Sequence, residues 1–111
     1  MKPINALALV RQLAADEDSC EFFAPVFEEL RRRGLDSDDL REIIISEIGD
    51  VHCFDSQTTR KHYPGTTSDY YSIWVDVCGC RMFLKLLVSA DRHGTERLVI
   101  TSFKKDVRHD P

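Results

Sequence analysis

At 111 residues the chain has room for one domain with a single modest core. Its 42% apolar and 31% charged residues are ordinary for a globular domain, and no run approaches the roughly 18 apolar residues of a membrane-spanning helix. The net charge of −4 hides an asymmetry: residues 1–50 hold six Lys/Arg against twelve Asp/Glu, while residues 51–111 hold nine against seven and all four histidines (His52, His62, His93 and His109).

Met1-Lys-Pro-Ile-Asn5 carries a charge but no apolar signal region, so a cytoplasmic protein is expected. Cys20, Cys53, Cys78 and Cys80 are too few and too irregularly spaced for a disulfide scaffold, and reduced thiols are the expectation. Ile4, Leu7, Ala8, Arg11 and Ala14 share one helical face and predict a first helix over about Pro3 to Ala15, ended by the polar Asp16-Glu-Asp-Ser19. Phe23, Val26, Phe27 and Leu30 predict a second helix with Pro25 in its first turn, where a missing N–H costs nothing. Arg31-Arg-Arg33 matches the negative end of that helix dipole better than it reads as an RNA contact, and Gly34 suits the left-handed cap. A third helix opens at Asp36 or Ser37, with Leu40, Ile43 and Ile44 forming its buried stripe, Ile48 a further member of it and Gly49 ending the helix; a strand over Ile43–Ile45 is the alternative.

Val51–Phe54 is a short strand candidate, and residues 55–69 are turn-rich and polar, as a functional or mobile loop would be. Tyr70–Val77, Arg81–Val88 and Arg97–Lys105 read as three antiparallel strands. A two-residue turn at Gly79-Cys80 would pair Trp74 with Lys85; Ala90 pairing Thr95 would set Lys104 opposite Arg81. One sheet face is then wholly apolar and packs on the helices. The other carries Tyr70, Ser72, Trp74, Asp76, Arg81, Lys85, Ser102 and Lys104, and a one-residue slip in the second turn would send Lys104 to the wrong side. A solvated sheet surface and a phosphate-binding face with an aromatic platform are equally good readings of that pattern. The whole is an α+β domain over 1–111: a helical layer (1–49), a mainly antiparallel sheet of about four strands (50–106) and a tail (107–111).

Gly34-Leu-Asp36, Ile43-Ile44, Phe54-x-Ser56-x-Thr58-Thr59, Ile73-Trp-x-Asp-Val77, Phe83-Leu-Lys85 and Val99-Ile-x-Ser-Phe-Lys104 resemble, in that order, the MqsR family of toxins, over roughly residues 30–106. The resemblance implies a RelE-like fold and a metal-independent mRNA endoribonuclease without cofactor, inhibited by a cognate antitoxin protein. Lys104 matches that family's functional pattern. Asp55, Val75 and Phe83 stand where the family has lysine, glutamine and tyrosine, and about eight extra residues lie near Arg60–Thr67. Lys104, Lys61 and His62 are the candidate catalytic residues, histidine being the side-chain type that exchanges protons near neutral pH. Arg60, Arg81, Lys85, Trp74 and Tyr70 are the candidate RNA contacts. A non-catalytic RNA- or protein-binding module on the same scaffold is the alternative, and an interaction protein without nucleic acid a third. A zinc site from His52-Cys53 and Cys78-x-Cys80, where Cys-x-Cys strains one ion's geometry, and a cysteine nucleophile with His52 or His62 are minor readings. No phosphate-binding glycine loop occurs.

Overall fold

The computed structural model describes residues 1–108; residues 109–111 of the expected tail lie outside the described residues. The helices are α1 (Leu7–Ala14), α2 (Ala24–Arg32) and α3 (Ser37–Ser46), and the strands are β1 (Cys20–Phe22), β2 (Cys53–Thr58), β3 (Thr67–Val75), β4 (Cys80–Ala90) and β5 (Glu96–Lys105). The strands form one sheet in the order β1-β5-β4-β3-β2, antiparallel except for the β1–β5 pair. The α+β class and the three helices are as expected. The sheet is mixed and has five strands rather than about four.

Each helix follows from its sequence. In α1, Leu7, Val10 and Ala14 are buried at one face. The helix starts at Leu7 rather than Pro3 because the backbone N–H groups of Ile4 and Asn5 donate to the Asp69 carboxylate (2.9 and 2.8 Å), which leaves Ile4 exposed. In α2, Pro25 sits in the first turn, and Val26 and Leu30 are buried. Phe27, expected in the core stripe, is exposed and rests against Phe22. Arg32 and Arg33 both pair with Glu29, and Gly34 takes φ 72 to close the helix. Asp36 and Asp39 form a reciprocal capping box that opens α3, so Ile43–Ile45 is helix and not strand. Ile48 is buried just beyond the helix end.

β1 is the strand that the sequence pattern does not reveal: three residues with Glu21 in the middle. Nearly half of residues 55–69 is strand, because β2 runs to Thr58 and β3 starts at Thr67; only 59–66 is loop. The β3–β4 turn is longer than a two-residue hairpin. A 3-10 turn over Asp76–Cys78 and Gly79 at φ 66 set Trp74 opposite Arg81, and Tyr70, not Trp74, opposite Lys85. The slide is an even number of positions, so the assignment of faces survives it. The second turn does slip by one, pairing Ala90 with Glu96, and this turns Leu98 and Ile100 into the core. A β-bulge then leaves Thr101 unpaired between Ile100 and Ser102. Alternation is reset, and Lys104 returns to the open face opposite Phe83. The core lies between the helices and the face bearing Tyr71, Ile73, Val75, Met82, Leu84, Leu86, Leu98, Ile100 and Phe103.

Candidate functional site

The face away from the helices holds the candidate site. Register places Tyr70, Ser72 and Trp74 of β3, Arg81, Phe83 and Lys85 of β4, and Ser102 and Lys104 of β5 on it. The 59–66 loop leaves the β2–β3 end and reaches across to Phe23 at the opposite edge, so a cleft of about 550 Å³ forms between loop and sheet. That is within the size range of pockets that take a small organic ligand, roughly 300–1,000 Å³. Arg60, Lys61 and His62 line it from the loop, Tyr70 from β3, Lys85 from β4 and Lys104 from β5. Six of the eight candidate residues, separated by up to 44 positions in sequence, thus meet in one place.

The two lysines of the cleft floor are held over aromatic rings. Lys85 Nζ lies 5.2 Å from the centre of Tyr70, and Lys104 Nζ 5.5 Å from the centre of Phe83. Among the described residues neither is paired with a carboxylate. A ring face orients an ammonium without neutralising it, so both charges stay available to an anion. Tyr70 packs edge-on against Phe54 and Phe83 at 6.1 and 5.8 Å, and those two meet at a tilt at 6.0 Å, which fixes the rings themselves. Hydroxyls complete the lining: Thr59 and Ser68 share a hydrogen bond of 2.8 Å, and Thr66, behind the lining, donates to Thr59 at 2.9 Å. His62 has φ 70, the one positive φ outside glycine among the described residues. Such backbone persists only where its surroundings hold it, and it clusters at functional sites.

In comparisons with known proteins, neither a family model nor a curated protein matches this chain.

Arg81 and Trp74 share the open face but lie outside the cleft, farther along β3 and β4. Arg81 donates to the Ser72 carbonyl at 3.3 Å, and the half-exposed Trp74 indole donates to Asp76 at 2.8 Å. Between them and the cleft passes the segment after β5. Asp106 N–H donates to the Arg81 carbonyl (2.9 Å), Ser72 Oγ donates to the Asp106 carboxylate (2.5 Å), and Arg108 donates to it twice at 3.0 Å. The Arg108 guanidinium lies 3.4 Å over the Phe54 ring.

Hydrogen bonding from Arg108, against the cost of burial and aided by Ser72, holds the Asp106 carboxyl well below the usual carboxylate range. An unfolded Asp takes up its proton at about pH 3.9, so below that the unfolded state binds a proton that the native state refuses. Stability from this group is therefore complete above about pH 4 and drains away as pH falls toward the depressed native value. Urea midpoints measured at pH 5 and pH 3 should drop further for the wild type than for Asp106→Asn. Equal drops would dissociate Asp106 from acid sensitivity.

The cysteine and zinc readings are not brought together. His52 Nδ1 accepts from Gly49 N–H, Cys53 donates to the Asp55 carbonyl, and Cys80 lies against Arg33 and Met82. All four cysteines are free, and burial pushes the Cys20, Cys53 and Cys78 thiols up, away from the nucleophilic thiolate. No group of three or more His, Cys, Asp or Glu among the described residues is placed to hold a metal.

Sequence reasoning passed over Phe23, Gln57, Ser68 and Thr101 as lining residues. Phe23 was hidden because its position depends on β1. Thr101 carries no local signal, since a bulge is a property of the paired ladder. Gln57 and Ser68 would have followed from extending β2 and β3 into the polar stretch.

Proposed function

We propose that this chain is an MqsR-like, RelE-like toxin of a type II toxin–antitoxin pair that cleaves mRNA without a metal. The observation that carries the reading is the convergence of Arg60, Lys61, His62, Lys85 and Lys104 around aromatic rings in one cleft. Uncompensated cations above a sheet suit a phosphodiester, and Tyr70 offers a base a stacking surface. In the reaction, His62 takes the proton of an RNA 2′-hydroxyl, whose oxygen attacks the adjacent phosphorus. Lys104, with Lys61, stabilises the charge of the phosphorane-like transition state, while Lys85 holds the RNA backbone. The bond to the 5′ oxygen breaks, that oxygen receives a proton, and a 2′,3′-cyclic phosphate remains. Arg81 and Trp74 extend the contact surface beyond the cleft. A cognate antitoxin is the second partner this reading implies.

The test is induced expression together with purified protein on labelled single-stranded RNA. Growth arrest and transcript cleavage are expected, with cleavage lost when the attacking 2′-hydroxyl is replaced by hydrogen. Normal growth with intact transcripts would sink the toxin reading. Salt-dependent binding without cleavage would favour the binding-module reading. In support of that second reading, Asp55 stands where the family has lysine, and its carboxylate is engaged by Ser56 N–H and Gln57 (2.8 and 2.7 Å).

A further inference from the structure

The end of the open face nearest the loop is not a solvated surface. Leu87 and Val99 point to this side, opposite the main core, yet both are fully buried. Glu21 of β1 sits beside Val99 on the same face, since Cys20 and Phe22 take the core side. The Tyr63 hydroxyl of the loop donates to the Glu21 carboxylate. Phe23, next along, meets the His62 ring edge-on at 5.8 Å and the Tyr63 ring at 6.3 Å. The loop is thus anchored at both ends: hydroxyls of Thr59, Thr66 and Ser68 at its root, Glu21 and Phe23 at its far side. The positive φ of His62 falls at the turn between the cleft and this anchor.

We infer that Tyr63, Glu21 and Phe23 form a latch that makes the 59–66 loop a strap, and that they are positioning residues which hold Lys61 and His62 over the cleft. The role in catalysis rests on the ribonuclease reading; the latch itself does not. Burial and the bond to Glu21 push the Tyr63 phenol up to about 12, so the latch hydroxyl keeps its proton throughout the neutral range. Lys61 and His62 are exposed and make no side-chain hydrogen bond of their own among the described residues, so the strap backbone, with the Phe23 ring against His62, is what aims them. A strap fixed to β1 also roofs the site, which suits a single strand entering along the open face and not a duplex.

Two measurements test this, one of them independent of RNA. Trypsin can cut after Arg60 and after Lys61. Tyr63→Phe and Glu21→Ala should each be nicked there about ten-fold faster than wild type, at unchanged global melting temperature. Glu21→Gln, whose amide oxygen still accepts from Tyr63, should be nicked at the wild-type rate. On RNA, kcat should fall about ten-fold in Tyr63→Phe and Glu21→Ala, with a smaller change in KM, and recover in Glu21→Gln. The double variant should be no worse than either single one, as expected of two ends of one interaction. Wild-type nicking rates in both single variants would overturn the latch. Faster nicking with unchanged kcat would overturn the positioning role. A wild-type protein that neither cuts nor binds RNA would overturn the ribonuclease reading and the positioning role with it, while the nicking rates still decide the latch.

Discussion

On the proposed ribonuclease reading, Lys104→Ala is expected to lower RNA cleavage by about 100- to 1,000-fold, the usual cost of removing one preorganised group that stabilises transition-state charge. Lys104 is exposed on β5 and pairs with no carboxylate among the described residues, so its loss leaves no buried group stranded. The melting temperature should stay close to wild type, and single-turnover cleavage is the measurement. Lys104→Arg is a useful companion: it keeps the charge but replaces a compact ammonium over Phe83 with a planar fork, so partial recovery is expected. Lys85→Ala should act mainly through KM, since Lys85 lies over Tyr70, the ring proposed to stack a base. If Lys104→Ala cleaves at the wild-type rate, the cleft floor is not the reacting centre.

The largest stability effect is expected at Asp69. This carboxylate is fully buried and accepts four hydrogen bonds: from the N–H groups of Ile4 and Asn5, from the Asn5 side chain (2.9 Å) and from Ser56 Oγ (2.5 Å). It clamps the segment before α1 onto β2 and β3. Asp69→Ala orphans those donors, at a cost on the order of 3 kcal/mol. For a domain of this size that is a drop in melting temperature of about 10–20 °C. Asp69→Asn, which presents an amide N–H to a donor already there, should fall in between. Thermal melts of the three proteins check the order, and equal melting points would refute the clamp.

Helix positions were legible in the sequence because apolar spacing and caps are local: Pro25, Gly34 and the Asp36–Asp39 box each act within one turn. The sheet was legible in its faces but not in its pairings. Ile73, Val75, Met82 and Leu84 alternate with the residues of the open face, and alternation survives an even slide of register. Turn length, by contrast, was set by Gly79 taking a left-handed conformation after a 3-10 turn, which no alternation reports. Candidate residues such as Lys61, His62, Lys85 and Lys104 were chosen by chemistry. Their meeting in one cleft depends on β1, because without that edge strand the loop has nothing to reach. Glu21 is the plainest miss: one acidic residue between Cys20 and Phe22 reads as surface, and its role emerges only when Tyr63 arrives from 42 positions away.

Thr101 is a spacer of one residue. Ile100 pairs with Leu86 and Ser102 with Lys85, so excising Thr101 would join two ladders that are already in step. Every inward residue would still point inward, and Lys104 would still face the cleft. Only the coiling of β5 would relax, together with the Thr101 hydroxyl's 3.4 Å hold on the Lys85 carbonyl. A Thr101 deletion should therefore fold, as a cooperative melt would show, while changing the spacing of Lys85, Ser102 and Lys104. A single codon gained or lost here would reshape the cleft floor and leave the hydrophobic interior untouched.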